Sequence, residues 1–329
     1  MSHANISIFV PHLGCPNKCS FCNQCHITGT VEQPTPKDID IAVNKALSSK
    51  NYSKADTEIA FFGGSFTAID RDYMLSLLDA AGKYIKNNTV KGIRISTRPD
   101  CIDREILDIL KSFGVTAIEL GAQSMVDSVL EKNDRGHSSK DVEKASKLIK
   151  EYGFELGLQM MTGLYTDTDE GSIYTAKKII ELKPKTVRIY PTIVLENTAL
   201  AELYNKGVYK PQTVDQAAQL VVKVLEMFES EGISVIRVGL HTIDKDSYVA
   251  GPWHDAFGEI CESIKYFELI KNKLITKGTY NIFVNNSEIS KAVGQSKSNI
   301  NKFKSLGFNV KIMGDKTLKK YEIKVEEVK

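Results

Sequence analysis

Gly14-Cys15-Pro16-Asn17-Lys18-Cys19-Ser20-Phe21-Cys22 carries cysteines spaced C-x3-C-x2-C, and Cys25 follows close behind. The chain has 6 cysteines in 329 residues, and the remaining two, Cys101 and Cys261, stand alone. A disulfide scaffold spreads its cysteines through a short secreted chain. A tight cluster in a long chain reads instead as a metal or iron–sulfur site. Thiolates at this spacing on one loop can hold three irons of a cubane cluster. They can also hold a structural zinc ion, with Cys25 or His26 as fourth ligand.

The surroundings of the loop set the fold class. Short β-branched runs recur at 6–10, 58–62, 92–97, 117–121, 155–161, 186–193 and 234–238, with room for a crossover helix between each pair. In the stretch 38–47, Ile39, Ala42, Val43, Ala46 and Leu47 share one helical face, and 72–85 and 104–113 behave alike. Alternating strands and helices predict an α/β fold, a partial (β/α)6-type barrel whose chemistry sits on loops after the strand C-termini. The cysteine loop follows the first strand. The rhythm ends near Leu240, which predicts a barrel over 1–240, an extension and linker over 241–279, and a small α+β unit over 280–329.

Composition narrows the class further. Hydrophobic residues make up 42% and charged residues 26%, so the chain is globular and not disordered. Lys+Arg 43 against Asp+Glu 41 gives a formal net charge of +2, so the whole-chain balance demands no polyanionic partner, although a local patch can bind one. No apolar run reaches the ~18 residues of a membrane span. The N-terminus lacks a basic segment followed by an apolar one, so no membrane and a cytoplasmic location are expected.

From the C-x3-C-x2-C loop onward the sequence resembles the radical S-adenosylmethionine (SAM) superfamily, and Phe21 before the last cysteine fits that likeness. The resemblance implies a [4Fe-4S] cluster on Cys15, Cys19 and Cys22, with Cys25 an extra. The open fourth iron would chelate SAM, and one-electron cleavage would give a 5′-deoxyadenosyl radical. It also implies oxygen sensitivity and an electron donor such as ferredoxin or flavodoxin. Phe61-Phe62-Gly63-Gly64-Ser65 stands where the family has a Gly-Gly-Glu-type motif, so Gly63 and Gly64 would cradle the methionine amino group; Ser65 departs from the glutamate. Ser96 and Arg98, at a strand end, suit a ribose or a carboxylate. Gln123 and Arg135 stand where related enzymes face SAM, and a planar guanidinium matches a carboxylate. Gln159 would reach the ribose, and the segment with Tyr190 the adenine. His137 reads equally as a structural residue, and no catalytic residue is assigned.

Longer strings resemble one branch, the radical domain of the Elongator catalytic subunit, over roughly residues 5–240. They are Ser96-Thr97-Arg98-Pro99-Asp100, Glu119-Leu120-Gly121-Ala122-Gln123-Ser124, Arg135-Gly136-His137, Ile189-Tyr190-Pro191-Thr192 and Tyr209-Lys210-Pro211. That subunit acts on wobble uridines of transfer RNA with the help of an acetyltransferase domain. Nothing after Leu240 resembles such a domain. A looser likeness extends to oxygen-independent coproporphyrinogen oxidases. His241 and the stretch 250–259, with the sole tryptophan Trp253, would either line the substrate pocket or form a packing loop.

The tail reads strand 280–284, helix 287–293, loop Gly294-Gln295-Ser296-Lys297, helix 298–306, and strands 310–313 and 321–325. The loop with its flanking helices resembles a KH domain, whose GXXG turn clamps a nucleic-acid backbone; here Lys297 replaces the second glycine. Lys291, Lys297 and Lys302 with Gly294 are the candidate nucleic-acid contacts, among many tail lysines. The expected function is a radical SAM enzyme modifying RNA, transfer or ribosomal. The alternative is a radical enzyme acting on a protein, peptide or small metabolite, with the tail as a docking module.

Overall fold

Two-residue alternation in the strands fixes the layering. In β1 (Ala4–Val10), Ile6, Ile8 and Val10 are buried in the main hydrophobic core, while Ser7 and Phe9 line a cavity on the other side. The same parity runs through β2 (Thr57–Gly63), β3 (Gly92–Thr97), β4 (Val115–Gln123), β5 (Glu155–Thr162) and β6 (Thr186–Pro191). Ile59, Ile95, Ile118, Leu158 and Ile189 join the core with the helices. Glu58, Arg94, Glu119, Gln159 and Arg188 occupy the alternate positions. The computed structural model describes residues 4–11, 18–23, 32–50, 52–240, 243 and 245–328.

β7 (Val194–Leu195) leaves the sheet, and β8 (Ser234–Val238) completes it in the order β1-β2-β3-β4-β5-β6-β8, every neighbour parallel. β1 and β8 are the two edges, so the sheet is a curled half-barrel. All seven sequence-predicted strands are present. The strand expected over 186–193 ends two residues early, at Pro191, and β7, just beyond it, pairs antiparallel with β9 (Tyr248–Ala250).

Helices cover the convex face: α1 (Pro36–Leu47), α2 (Arg71–Lys86), α3 (Arg104–Ser112) and, beyond the short α4 (Asp127–Lys132) that follows β4, α5 (Ser139–Glu151), α6 (Asp169–Glu181) and α8 (Val214–Ser230), whereas α7 (Ala199–Asn205) packs with β7 in a separate cluster. Their starts carry short polar side chains, except α4, which starts after Val126 without a side-chain cap. Asp70 accepts from the Tyr73 amide at 3.0 Å and Asp103 from the Ile106 amide at 2.8 Å. Ser138 and Asp141 form a reciprocal box. Each such cap is worth about 1 kcal/mol.

The C-terminal unit has its own sheet. β10 (Thr279–Val284) lies between β11 (Asn309–Gly314) and β12 (Lys324–Val328), parallel to the first and antiparallel to the second. α10 (Ile289–Val293) and α11 (Ser298–Ser305) follow β10 as expected. The last strand begins three residues later than the sequence suggests, because Tyr321 is held elsewhere. Its amide donates to the Tyr266 hydroxyl at 3.1 Å and its hydroxyl to Glu262 at 2.7 Å. Both partners belong to α9 (Phe257–Lys271), which serves two cores. Phe257 and Cys261 pack in the barrel core, whereas Tyr266 and Ile270 pack with Tyr280, Ile282 and Phe303 of the tail. Among the described residues, no helix is long and apolar enough to cross a membrane.

Candidate active site

The described part of the cysteine loop is fastened to the β4–α4 region. Ser20 donates its amide to the Asn133 carbonyl at 3.1 Å and its hydroxyl to Asn133 Oδ1 at 2.8 Å. Cys19 is buried, and Cys22 reaches the wall of the cavity. Cys15, Cys25 and His26 lie outside the described residues. Arg135, also buried, donates from Nη1 to Cys19 Sγ at 3.0 Å and from Nη2 to the Gly121 carbonyl at 2.8 Å. Its guanidinium lies 6.0 Å from the Phe21 ring centroid.

The cavity, about 590 Å³, opens above the inner face of the sheet. Its walls include Phe21, Cys22, Gly63, Ser96, Gln123, Gln159 and Tyr190. This brings five of the sequence-predicted cofactor residues to one space, together with a cysteine. Gly63 has φ +112, a conformation that needs glycine. Gln123 has φ +63, and its Oε1 is buried without a partner among the described residues. A Cβ at Gly121 would lie 2.9 Å from Gln123 Nε2, so a side chain there would push the Gln123 amide from its place.

Three expected contacts are placed differently. Gly64 is outside the cavity wall, its amide bonded to the Val10 carbonyl at 2.9 Å. Arg98 is clamped to Asp100 by two bonds of 2.9 Å and donates to the Arg135 carbonyl, so it braces Arg135. Burial is the largest cause acting on its charge and opposes it; Asp100 outweighs that and holds its pKa up. Arg135 lies beneath the cysteine loop. His137 bonds the Ala122 carbonyl at 3.2 Å, and burial, with the nearby Arg135 charge, lowers its pKa to about 4. It is therefore neutral at pH 7. Pro252, Trp253 and His254 line a smaller hollow behind Pro191 and Ile193, with Trp253 against Tyr248 at 5.3 Å between ring centroids. That hollow shares Pro191, Ile193 and Leu240 with the cavity wall, so these residues stand beside the cavity, while His241 lies outside the described residues.

Under the cavity runs a charged network that the motifs do not reveal. Arg188 donates from Nε and Nη2 to Glu119 at 2.6 and 3.0 Å and lies 4.9 Å from the Phe62 ring centroid. Gln159 Nε2 reaches Glu119 Oε2 at 3.1 Å and Ser96 Oγ at 3.3 Å. Arg94 bonds Glu58 at 2.9 Å and Glu155 at 2.8 Å, with Glu119 at 3.5 Å. The sequence signal for this network is parity, because charged residues fall at the inward positions of otherwise apolar strands.

Two described cysteines, a buried guanidinium on one of them, an amide oxygen without a partner among the described residues and a cavity of this size suit an iron–sulfur cluster with a polar ligand beside it. The family model described as "Radical SAM superfamily" matches residues 9–179, and "Radical_SAM C-terminal domain" matches 184–266. The chain belongs to the radical SAM superfamily. Its cofactors are accordingly a [4Fe-4S] cluster and SAM, and it is a radical SAM enzyme. When bound, these groups supply a 5′-deoxyadenosyl radical for abstraction of a hydrogen atom from a substrate.

Relatives refine the placement within the radical SAM proteins. An uncharacterized protein of Methanocaldococcus jannaschii is 29% identical over 277 residues, covering 81% of this chain and 84% of the relative. The tRNA uridine(34) acetyltransferase of the same organism is 33% identical over 187 residues, 50% of this chain and 34% of that protein. Human Elongator complex protein 3 is 31% identical over 202 residues, 55% of this chain and 37% of that protein. The chain thus spans about a third of these two longer relatives. The structure of N-terminally truncated Methanocaldococcus infernus Elp3 superposes with a TM-score of 0.64 at 22% identity, covering 84% of this chain and 65% of that one.

Proposed function

We propose that this radical SAM enzyme modifies RNA, a transfer RNA or a ribosomal RNA. The observation that carries the reading is the similarity to proteins named for tRNA uridine(34) and Elongator, which spans half of the chain or more. The basic tail supports it. Lys297 is exposed, and so is Lys302. Lys291 is held 3.1 Å from Glu288, so its charge is largely neutralised. Gly294, with φ +78 and ψ 156, starts a loop in which Ser296 and Lys297 also have positive φ.

In this reading the barrel over 1–240 does the chemistry, 241–279 connects, and 280–329 holds the nucleic acid. Cys15, Cys19 and Cys22 hold the cluster. Gly63, Ser96, Gln123, Gln159 and Tyr190 hold SAM, with Gly64 behind Gly63 on the Val10 carbonyl and with Arg135 and Arg98 bracing the loop side. Inside the cavity these side chains orient the ligand and exclude water. A cytoplasmic ferredoxin or flavodoxin supplies the electron.

The test is anaerobic. The protein is reconstituted with iron and sulfide, supplied with dithionite and SAM, and assayed for 5′-deoxyadenosine with and without bulk transfer RNA. Release that rises with RNA supports the reading. Release indifferent to RNA moves the search to peptides and metabolites.

A further inference from the structure

Arg188 on β6 and Arg237 on β8 are register partners, two guanidinium side chains on one wall of the cavity. Like charges opposed across a sheet repel. Glu119 offsets Arg188 with two hydrogen bonds. Arg237 has no such partner. Its hydrogen bond runs from Nε to the Gly239 carbonyl at 3.2 Å, and among the described residues no carboxylate lies within ion-pair distance. Burial is the largest cause acting against its charge; Tyr190 partly opposes that and Arg188 adds to it, and the net effect lowers its pKa.

The placement is produced by a register shift. Val187 pairs with Val235, but the next residue, Arg188, pairs with Arg237, so Ile236 is bulged out and 40% exposed. Without the bulge Ile236 would stand opposite Arg188, and Arg237 would turn towards the helices. Bulges beside active sites re-aim side chains in this way. The cost is a second guanidinium in a cavity that holds a carboxylate for only the first.

We propose that the Arg188–Arg237 pair docks a phosphate group of the substrate at the β8 edge of the cavity, the opposite edge of the sheet from the strand that leads into the cysteine loop. The outer nitrogens of Arg237 and the Arg188 nitrogen that Glu119 does not hold can share the oxygens of one phosphate, and a phosphate brings the negative charge that Arg237 lacks. That the phosphate belongs to a nucleotide rests on the RNA reading. The anion site itself rests on the register and the charge count.

The experiment is calorimetric titration of the anaerobically reconstituted holoenzyme with uridine 5′-monophosphate, glycerol phosphate and uridine as probes. The monophosphate is expected to bind at least about tenfold more tightly than uridine, the scale of one charged hydrogen bond. Arg237→Gln should remove that advantage for both phosphates, and Arg237→Lys should keep part of it. The thermal midpoint of Arg237→Gln should not fall, because an uncompensated charge is removed; a merely structural arginine would lower it. Equal binding of uridine and its monophosphate overturns the proposal. So does a parallel loss of SAM affinity in Arg237→Gln, which would give the pair to the cofactor. If transfer RNA fails to stimulate 5′-deoxyadenosine release while phosphate binding still depends on Arg237, the RNA reading falls and the anion site stands.

Discussion

Arg135 joins Cys19 to the end of β4, with one nitrogen 3.0 Å from the cysteine sulfur and another 2.8 Å from the Gly121 carbonyl. The guanidinium thus adds a charged tie at Cys19 to the Ser20 bonds with Asn133 and Leu200 that fasten the same loop. A charged hydrogen bond of this kind contributes about 1.5–3 kcal/mol. Arg135→Met is expected to lower the iron bound per chain after reconstitution and to speed its loss to a chelator. Full iron content with unchanged release would remove Arg135 from the cluster's support.

Arg94 predicts a stability effect. It is 3% exposed and faces three carboxylates, of which Glu58 and Glu119 are as deeply buried. Removing one member of a buried ion network strands the others and costs about 3–5 kcal/mol. Arg94→Ala should lower the unfolding free energy by that amount, read from the urea midpoint, or yield little folded protein. A midpoint within experimental error of wild type would show that the carboxylates are satisfied without it.

His137 predicts a pH effect. Its folded-state pKa, lowered to about 4, lies below the ordinary histidine value of 6.5. The unfolded chain therefore binds the proton more readily. Stability is full above pH 6.5 and falls as the pH drops towards 4, by roughly 3 kcal/mol from this residue. Urea titrations of wild type and His137→Gln over that window check it: the variant should show a flatter slope. Parallel curves would mean that His137 titrates normally.

The tail lysines predict a salt effect. With Lys291 paired to Glu288, the weakening produced by a triple substitution should come mostly from the other two. Lys297→Ala with Lys302→Ala should weaken RNA binding and flatten its dependence on salt by roughly 0.7 for each lysine–phosphate pairing removed. Adding Lys291→Ala should change little more. An unaltered salt slope would leave the tail without a nucleic-acid role.

Gly294 predicts a local defect. A Cβ there would lie 2.4 Å from Ser298 Oγ and 2.8 Å from Ser263 Oγ, in a backbone conformation nearly reserved for glycine. Gly294→Ala should cost about 1–3 kcal/mol, seen as faster hydrogen exchange in the tail while β1–β6 stay protected. Unchanged exchange in both regions would mean that the loop yields easily.

The fold is legible because strand parity and crossover length are local properties. Ile6, Ile59, Ile95 and Ile118 mark one face, and the β-branched runs mark the strands. The cavity motifs are legible because they sit at strand ends, where glycine and amide side chains stand out. What escapes depends on contacts between distant segments. Arg98 reads as a ligand residue in the sequence, yet its closest partners are Asp100 and the backbone of Arg135. The inward direction of Arg237 hangs on a single bulged residue, and a one-residue slip reverses every side chain beyond it. The β7–β9 pairing joins segments about fifty residues apart through two short strands, too little periodicity to read.

The helix α9 sits in two cores at once, and that settles how the two parts can move. A tether of glycine and serine would let the tail wander. A continuous 15-residue helix, about 22 Å long and packed at both ends, acts as a strut. The core of the tail and the core of the barrel are thus joined through one rigid element, and a load on either end is carried to the other.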